Sequence, residues 1–399
     1  MRRCIGVDPD AFARDHWARR PLLTEAADLP SGFTDLISPD AVDELVSRRG
    51  VRTPFLRIAK DGAVVATSRF TSGGGAGAEI GDQVSDDRVL ALFAQGSTLV
   101  LQALHRLWPP LVSFAAQLGA DLGHPVQVNA YVTPPQSTGF SAHYDVHDVF
   151  VLQVSGAKRW NIHAPVLEHP LRDQPWTDRK AEVAAAAQAT PVIDAVLRPG
   201  DALYLPRGWL HSAQALGDVS IHLTVGIHAV TRFMLLEALT ALATEDAGLR
   251  ASLPMGIDVA DPGQVTGDLD ATVESLVRWA GTADPVAVSE RLRRRVWSAV
   301  RPAPVAPLRQ AELAASLTLA STVRLRPHLR VLARDAGDDL VLVLTGRTIT
   351  LPPAAGPAIK VVLSGAPFEV GELPGLAADE QLVLIRRLLR EAVVVPADG

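Results

Sequence analysis

Between Val126 and about Ala229, short runs rich in Val, Ile, Leu and Tyr alternate with turn residues: VQVNAYVTP, VFVLQVSG, KRWNIHAP, DALYLP and VSIHLTVGI. Strand-sized apolar runs at this spacing predict an antiparallel sandwich or barrel. The alanine-rich stretch from Ala181 to Ala189 interrupts them as a helical or loop insertion. Helical signals dominate on both sides. A helix is predicted from Asp8 to Ala18, and another begins near Ser38-Pro39-Asp40, where serine can cap and proline can occupy the first turn. Thr53 to Ser68 predicts a hairpin around Asp61-Gly62. SGGGAGAEIG at 72–81 lacks the Gly-Lys-Ser/Thr that would close a phosphate loop and reads as a mobile loop. Leu90 to Leu118 predicts helix, interrupted at Pro109-Pro110. After Thr231 the helical period returns in RFMLLEALTALATEDAGL, ATVESLVRWA and VSERLRRRVWSAV. RPAPVAPLRQ at 301–310 reads as a linker. Beyond it, a hairpin over Asp339 to Leu351 and an amphipathic helix over Ala378 to Glu391 predict a winged-helix-like module.

Composition narrows the class. A chain of 399 residues suggests two or three domains at roughly 150 residues each. Its 48% hydrophobic and 21% charged residues exclude a disordered chain, a collagen and a coiled coil. A net charge of −6 gives no sequence-wide reason to expect nucleic acid. No apolar run approaches the roughly 20 residues that span a bilayer, and no signal-like stretch follows MRRCIGVDPDAFARDHW. The expectation is a soluble, cytoplasmic protein without a membrane partner. Cys4 is the sole cysteine, which excludes an internal disulfide framework and a thiolate-only metal cage. Near an end expected to be mobile, it reads as incidental. A bound metal would need histidine and carboxylate ligands, the set that suits non-haem iron. Lysines occur only at Lys60, Lys158, Lys180 and Lys360, so each is worth inspecting.

Candidate chemistry lies in GFSAHYDVHDVFVLQVSGAKRW at 139–160 and RPGDALYLPRGWLHSA at 198–213. His143 and Asp145 are two apart, which on a strand puts both on one face. His211 follows a strand and the turn Pro206-Arg207-Gly208. Two imidazoles and a carboxylate on one face of a metal leave three positions open, as in the facial triad of iron(II) oxygenases. Roughly one His-x-Asp pair arises by chance in a chain of this composition, so the pair means little without its context. Lys158 follows the turn Ser155-Gly156-Ala157. If 149–155 and 158–164 are neighbouring strands, its ammonium points into the cavity and needs an anion; otherwise it is an exposed strand-end lysine. Thr224 faces the same way as His222, Gly226 and His228, as a ligand contact or as a buried structural threonine. His222 and His228 read as core histidines. His147 joins the ligand face only if its strand continues undistorted.

In order, the segments FARDHWARRPLLT at 12–24, Asn129-Ala130-Tyr131, His143-Tyr144-Asp145, Gly156-x-Lys158-x-Trp160 and Pro199 to His211 resemble the JmjC/cupin-type iron(II)- and 2-oxoglutarate-dependent oxygenases. Among these, the similarity is to the bacterial ribosomal oxygenases, which hydroxylate ribosomal proteins. The resemblance implies a mainly β fold with α additions. A double-stranded β-helix of cupin or jelly-roll type over 1–230, with an N-terminal helical extension, would precede a helical dimerisation segment at 231–300. The linker at 301–310 and a winged-helix-like domain at 311–399 would follow. It implies iron(II) held by His143, Asp145 and His211, and 2-oxoglutarate and dioxygen as co-substrates. Lys158 would pair with the distal carboxylate, and Asn129 and Tyr131, with Thr224, would line the co-substrate pocket. The implied activity is hydroxylation, rather than demethylation, of His or Arg in a ribosomal protein by a homodimer.

Three other readings stay open. The acceptor could be another peptide or a small molecule. The chain could be a cupin-fold binding protein that does not catalyse, although all four key residues are present. A DNA-binding role for the C-terminal module is disfavoured, because residues 301–399 carry 11 Lys and Arg against 10 Asp and Glu.

Overall fold

In a computed structural model, residues 1–60, 62–135, 137 and 141–397 are described. Asp61 of the expected hairpin turn, and Gly139 and Phe140 of the 139–160 stretch, lie outside them. The chain divides into two units, Met1–Ala229 and Val230–Gly399.

The first unit runs α1 (Pro9–Asp15), β1 (Leu22–Thr24), α2 (Pro39–Arg48), β2 (Leu56–Lys60), β3 (Ala63–Val64), β4 (Thr71–Ser72), β5 (Gln83–Val84), α3 (Asp86–Ala94) and β6 (Thr98–Leu101). It continues through α4 (Leu104–Leu107), α5 (Pro109–Leu122), β7 (Val126–Thr133), β8 (Asp148–His163), α6 (Lys180–Ala186), β9 (Ile193–Leu197), β10 (Ala202–Leu205) and β11 (Leu210–Ile227). Nine strands form one antiparallel sheet in the order β1-β10-β8-β11-β7-β6-β2-β3, with β9 beside β8. Asp8 and Ser38 cap α1 and α2 through their side chains, each with proline in the first turn. Cys4 is not at a loose end: it is buried in the same core cluster as Phe12 and Leu118.

The helix expected over 90–118 is not continuous. Thr98–Leu101 is fully buried strand between β2 and β7, so sheet pairing overrides helical propensity there. Pro109-Pro110 starts α5 instead of interrupting a helix, because proline at the first position gives up no helical hydrogen bond.

A second correction bears on the site. Residues 149–155 and 158–164 are not neighbouring strands. They belong to one strand, β8, that bends at Gly156 opposite a register break in β11 between Leu216 and Ile221. Before the bend, Phe150, Leu152 and Val154 face the core packed against α1, α2, α3 and α5, while Val149 and Val151 face the other. After it, Trp160 and Ile162 occupy that second face. The alternation has slipped by one residue, as at a bulge. Lys158 is thereby turned onto the same face as Trp160; unbroken alternation would drive it into the first core.

Gly156 is needed for this bend. Its φ is +62°, and a Cβ would lie 2.3 Å from the Val219 carbonyl oxygen. Buried Gln153 steadies the same corner, its Nε2 donating to the carbonyls of Ser155 and Gly156 and to Ser220 Oγ. Gly156→Ala is expected to destabilise the first unit by about 2 kcal/mol, read as a lower denaturation midpoint. An unchanged midpoint would show that the bend accepts a side chain.

The second unit begins with α7 (Arg232–Leu242), α8 (Pro262–Ala280), α9 (Pro285–Ser298) and α10 (Pro307–Ser316). Residues 301–306 have no regular secondary structure, and helix resumes at Pro307 inside the proline-rich stretch. Then come β12 (Thr322–Leu325), β13 (Val331–Ala336), β14 (Asp339–Leu344), β15 (Arg347–Leu351), α11 (Gly356–Leu363), β16 (Phe368–Glu369), α12 (Ala378–Arg390) and β17 (Val394–Pro396). The strands β13, β14 and β15 form a meander, and β12 pairs with both β16 and β17. Leu384, Ile385, Leu388 and Leu389 of α12 fill their core. No helix among the described residues is long and apolar enough to cross a membrane.

Candidate functional site

His143 and Asp145 do not lie on a regular strand. They precede β8, and only His143 makes a bridge, to His211 on β11. Alternation nevertheless holds locally: Tyr144 points the other way, buried beside Val183 and Leu210, with its hydroxyl donating to Gln174 O. His143 N donates to His211 O at 3.2 Å and His211 N to His143 O at 2.8 Å, which brings the two rings to 4.4 Å. Asp145 is held from behind by Gly208 N, which donates to its carbonyl. One ligand atom from each of His143, Asp145 and His211 lies within 4.8 Å of the others, so the three could hold a metal ion.

The surroundings orient these groups. His143 Nδ1 sits 2.7 Å from Ser141 O and His211 Nδ1 3.1 Å from Trp209 O. A carbonyl can only accept, so each Nδ1 carries the proton and each Nε2 is left with a lone pair. The turn that delivers His211 is pinned by buried Asp148, which accepts from Tyr204 Oη at 2.7 Å and Arg207 N at 3.1 Å. Gly208 closes it at φ +89°, where a Cβ would lie 2.4 Å from Leu167 O. Burial pushes the His211 imidazolium down to about 4, with His143 adding to the effect and Asp145 opposing it. Burial alone would raise the Asp145 carboxyl, but His147, His211 and His143 outweigh it and hold it below the usual range.

Beside the triad is a narrow cavity of about 50 Å³ lined by Tyr131, Lys158, Trp160, Ser212, His222 and Thr224. Lys158 is 3% exposed, and burial lowers its ammonium to about 7. Its Nζ donates to Thr133 Oγ1 at 3.1 Å, and no carboxylate among the described residues pairs with it. Two buried polar atoms of the described lining residues, Trp160 Nε1 and His222 Nδ1, have no hydrogen-bond partner. A buried cation with donors to spare suits an anionic ligand.

Thus His143, Asp145, His211, Lys158, Tyr131 and Thr224 converge on one cavity. Asn129 does not line it: its Oδ1 accepts from Ala103 N at 3.0 Å, supporting the left-handed turn before α4. His147 does not line it either: its ring stacks on His228 with centroids 5.5 Å apart, near enough to Asp145 to act on its charge. His222, which sequence reasoning set aside as a core histidine, is part of the site. It stacks on Tyr131 at 5.0 Å and meets Trp160 edge-on at 5.4 Å. Its alternation with Thr224 was the available signal. Thr133, the partner of Lys158, carried none.

Comparison with known proteins places this geometry. Residues 113–235 match the family model described as JmjC domain. The chain is 31% identical over 254 residues to the bifunctional lysine-specific demethylase and histidyl-hydroxylase NO66 of Drosophila persimilis, covering 62% of this chain and 35% of that protein. It is 29% identical over 255 residues to ribosomal oxygenase 1 of Gallus gallus, covering 62% and 40%. The chain therefore spans well under half the length of these curated relatives. Among solved structures, Escherichia coli ribosomal oxygenase YcfD in complex with cobalt and 2-oxoglutarate matches over 98% of both chains, with a TM-score of 0.56 and 20% identity. The shared fold is the JmjC cupin type, mainly β sheet with helices added.

Proposed function

From a chain whose residues 113–235 match the JmjC domain model, we propose an iron(II)- and 2-oxoglutarate-dependent oxygenase that hydroxylates a protein side chain, with His or Arg of a ribosomal protein as the acceptor. One observation carries the reading: a His-Asp-His cluster shares its cavity with a buried ammonium that pairs with no carboxylate among the described residues. The names of the relatives, ribosomal oxygenase and histidyl-hydroxylase, and the cobalt and 2-oxoglutarate bound by YcfD support the same chemistry.

In this reading His143, Asp145 and His211 hold iron(II), and Lys158 takes the distal carboxylate of 2-oxoglutarate. Tyr131 and Thr224 line the co-substrate's path. Bound together, iron(II), 2-oxoglutarate and dioxygen supply an oxidative decarboxylation to succinate and carbon dioxide that drives oxygen insertion into an unactivated C–H bond. The protein's part is positional. The two Nδ1–carbonyl bonds hold the imidazoles with Nε2 toward the metal. Burial raises the Tyr131 hydroxyl to about 12, so it stays protonated and able to donate. Trp160 and His222 wall off the Lys158 end from water.

For the second unit the reading assigns 231–300 as a dimerisation segment, 301–310 as a linker and 311–399 as a winged-helix-like domain without a DNA partner. Leu269, Val273 and Val277, four residues apart on α8, are 55%, 50% and 68% exposed, a stripe suited to a second copy. Val273→Glu is expected to turn a dimer into a monomer by sedimentation, and an unchanged dimer would place the interface elsewhere. A ribosomal-protein substrate fits action in the cytoplasm.

The reading is tested by incubating the protein with ribosomal proteins, iron(II) and 2-oxoglutarate, followed by intact-mass analysis. One ribosomal protein should gain about 16 Da, one oxygen atom. Co-substrate turnover without any mass gain would reject this substrate class.

A further inference from the structure

The sheet face opposite Lys158 carries a groove of about 1060 Å³ between α2 and α3. Its floor is Leu99, Val132 and Ile221, from β6, β7 and β11. Val46, Leu90 and Phe93 line its sides, and Leu90 is 66% exposed. Five carboxylates rim it, Asp40, Asp43, Glu44, Asp86 and Asp87, against a single cation, Arg48. Asp40, Asp86 and Asp87 occupy first turns, where a negative charge favours the helix. Asp43 has no such role and no ion pair among the described residues, whereas Glu44 is bound by Arg49.

We infer that this groove docks a basic amphipathic segment of a partner protein, its apolar side chains seated over Leu90 and Phe93 and its lysines or arginines on the rim. The volume lies at the upper edge of the usual small-molecule range of about 300–1,000 Å³, so the charge pattern and not the volume selects the occupant. An apolar trough with mostly negative charge along its edges is the complement of an amphipathic helix bearing positive charge. Neither metal nor co-substrate enters the inference, so it stands apart from the oxygenase reading.

The test uses the full chain without added metal and a fluorescein-labelled 18-residue leucine–lysine peptide with helical amphipathic spacing. A leucine–glutamate peptide of the same spacing is the control. Fluorescence anisotropy should show saturable binding of the lysine peptide only, weakening as salt rises. Asp43→Lys and Leu90→Asp should each weaken it about tenfold, with thermal stability unchanged. Leu90→Asp is the decisive variant. It adds a negative charge, so adhesion by charge alone would strengthen, whereas seating in the groove must weaken. Equal binding of the two peptides, or a Leu90→Asp chain that binds as tightly as the parent, would overturn the inference. So would a Leu90→Asp chain that loses self-association while peptide binding is unchanged, since the occupant would then be a second copy.

Discussion

Asp145→Ala is expected to remove iron(II) binding and turnover together. Asp145 supplies the only carboxylate of the triad, and without it two neutral imidazoles must hold a divalent cation alone. Groups that merely support a metal ligand contribute about 10–100-fold in affinity, so loss of a ligand should cost at least about 100-fold. The fold should survive, because the Asp145 side chain is 30% exposed and its backbone contact from Gly208 remains. Metal titration followed by activity measurement separates the two effects. A variant that kept stoichiometric iron and full activity would remove the assigned triad.

Lys158→Met should move stability and co-substrate affinity in opposite directions. Among the described residues the buried ammonium has the Thr133 hydroxyl as partner and no carboxylate, so a neutral side chain of similar length should leave the free protein at least as stable. The same change should raise the 2-oxoglutarate requirement by about 100-fold or more, since it removes a charge-assisted contact in a dry site. Metal affinity should change little. Equal co-substrate affinity in the variant would reject Lys158 as the anion's partner.

The pH dependence follows with its sign. Burial lowers the folded-state value of Lys158 to about 7 from its ordinary 10.5. The charge therefore costs the free protein stability at low pH, in full below about pH 7. That cost fades as pH rises and is gone above 10.5, because the unfolded chain binds the extra proton in between. Co-substrate binding needs the ammonium, so affinity should fall up to about tenfold per pH unit above 7, a trend that Lys158→Met should abolish.

The sequence made the chemistry more legible than the path of the chain. His143, Asp145 and His211 could be picked out only through the ordered motifs around them, since a His-x-Asp pair alone arises by chance and His211 lies 66 residues beyond Asp145; turn residues marked how His211 is delivered. Lys158 stood out by the scarcity of lysine. Its geometry was inferred through the wrong intermediate, a hairpin at Gly156, whereas β8 runs through with its alternation slipped by one residue. That slip depends on a register break in β11, a tertiary fact with no local signature. Strand β6 was hidden for a related reason: four apolar residues between helical stretches acquire strand character only from their partners β2 and β7. His222 and Asn129 exchanged places for want of side-chain partners, one orphaned in the cavity and the other drawn to Ala103.

The central claim is tested most directly by succinate formation from 2-oxoglutarate in the iron(II)-loaded protein with ascorbate and dioxygen, alongside the Asp145→Ala chain. The account predicts iron-dependent succinate from the parent, stimulated by ribosomal protein, and none from the variant. No succinate from a parent sample verified to hold iron would contradict it and leave a cupin-fold binding protein in its place.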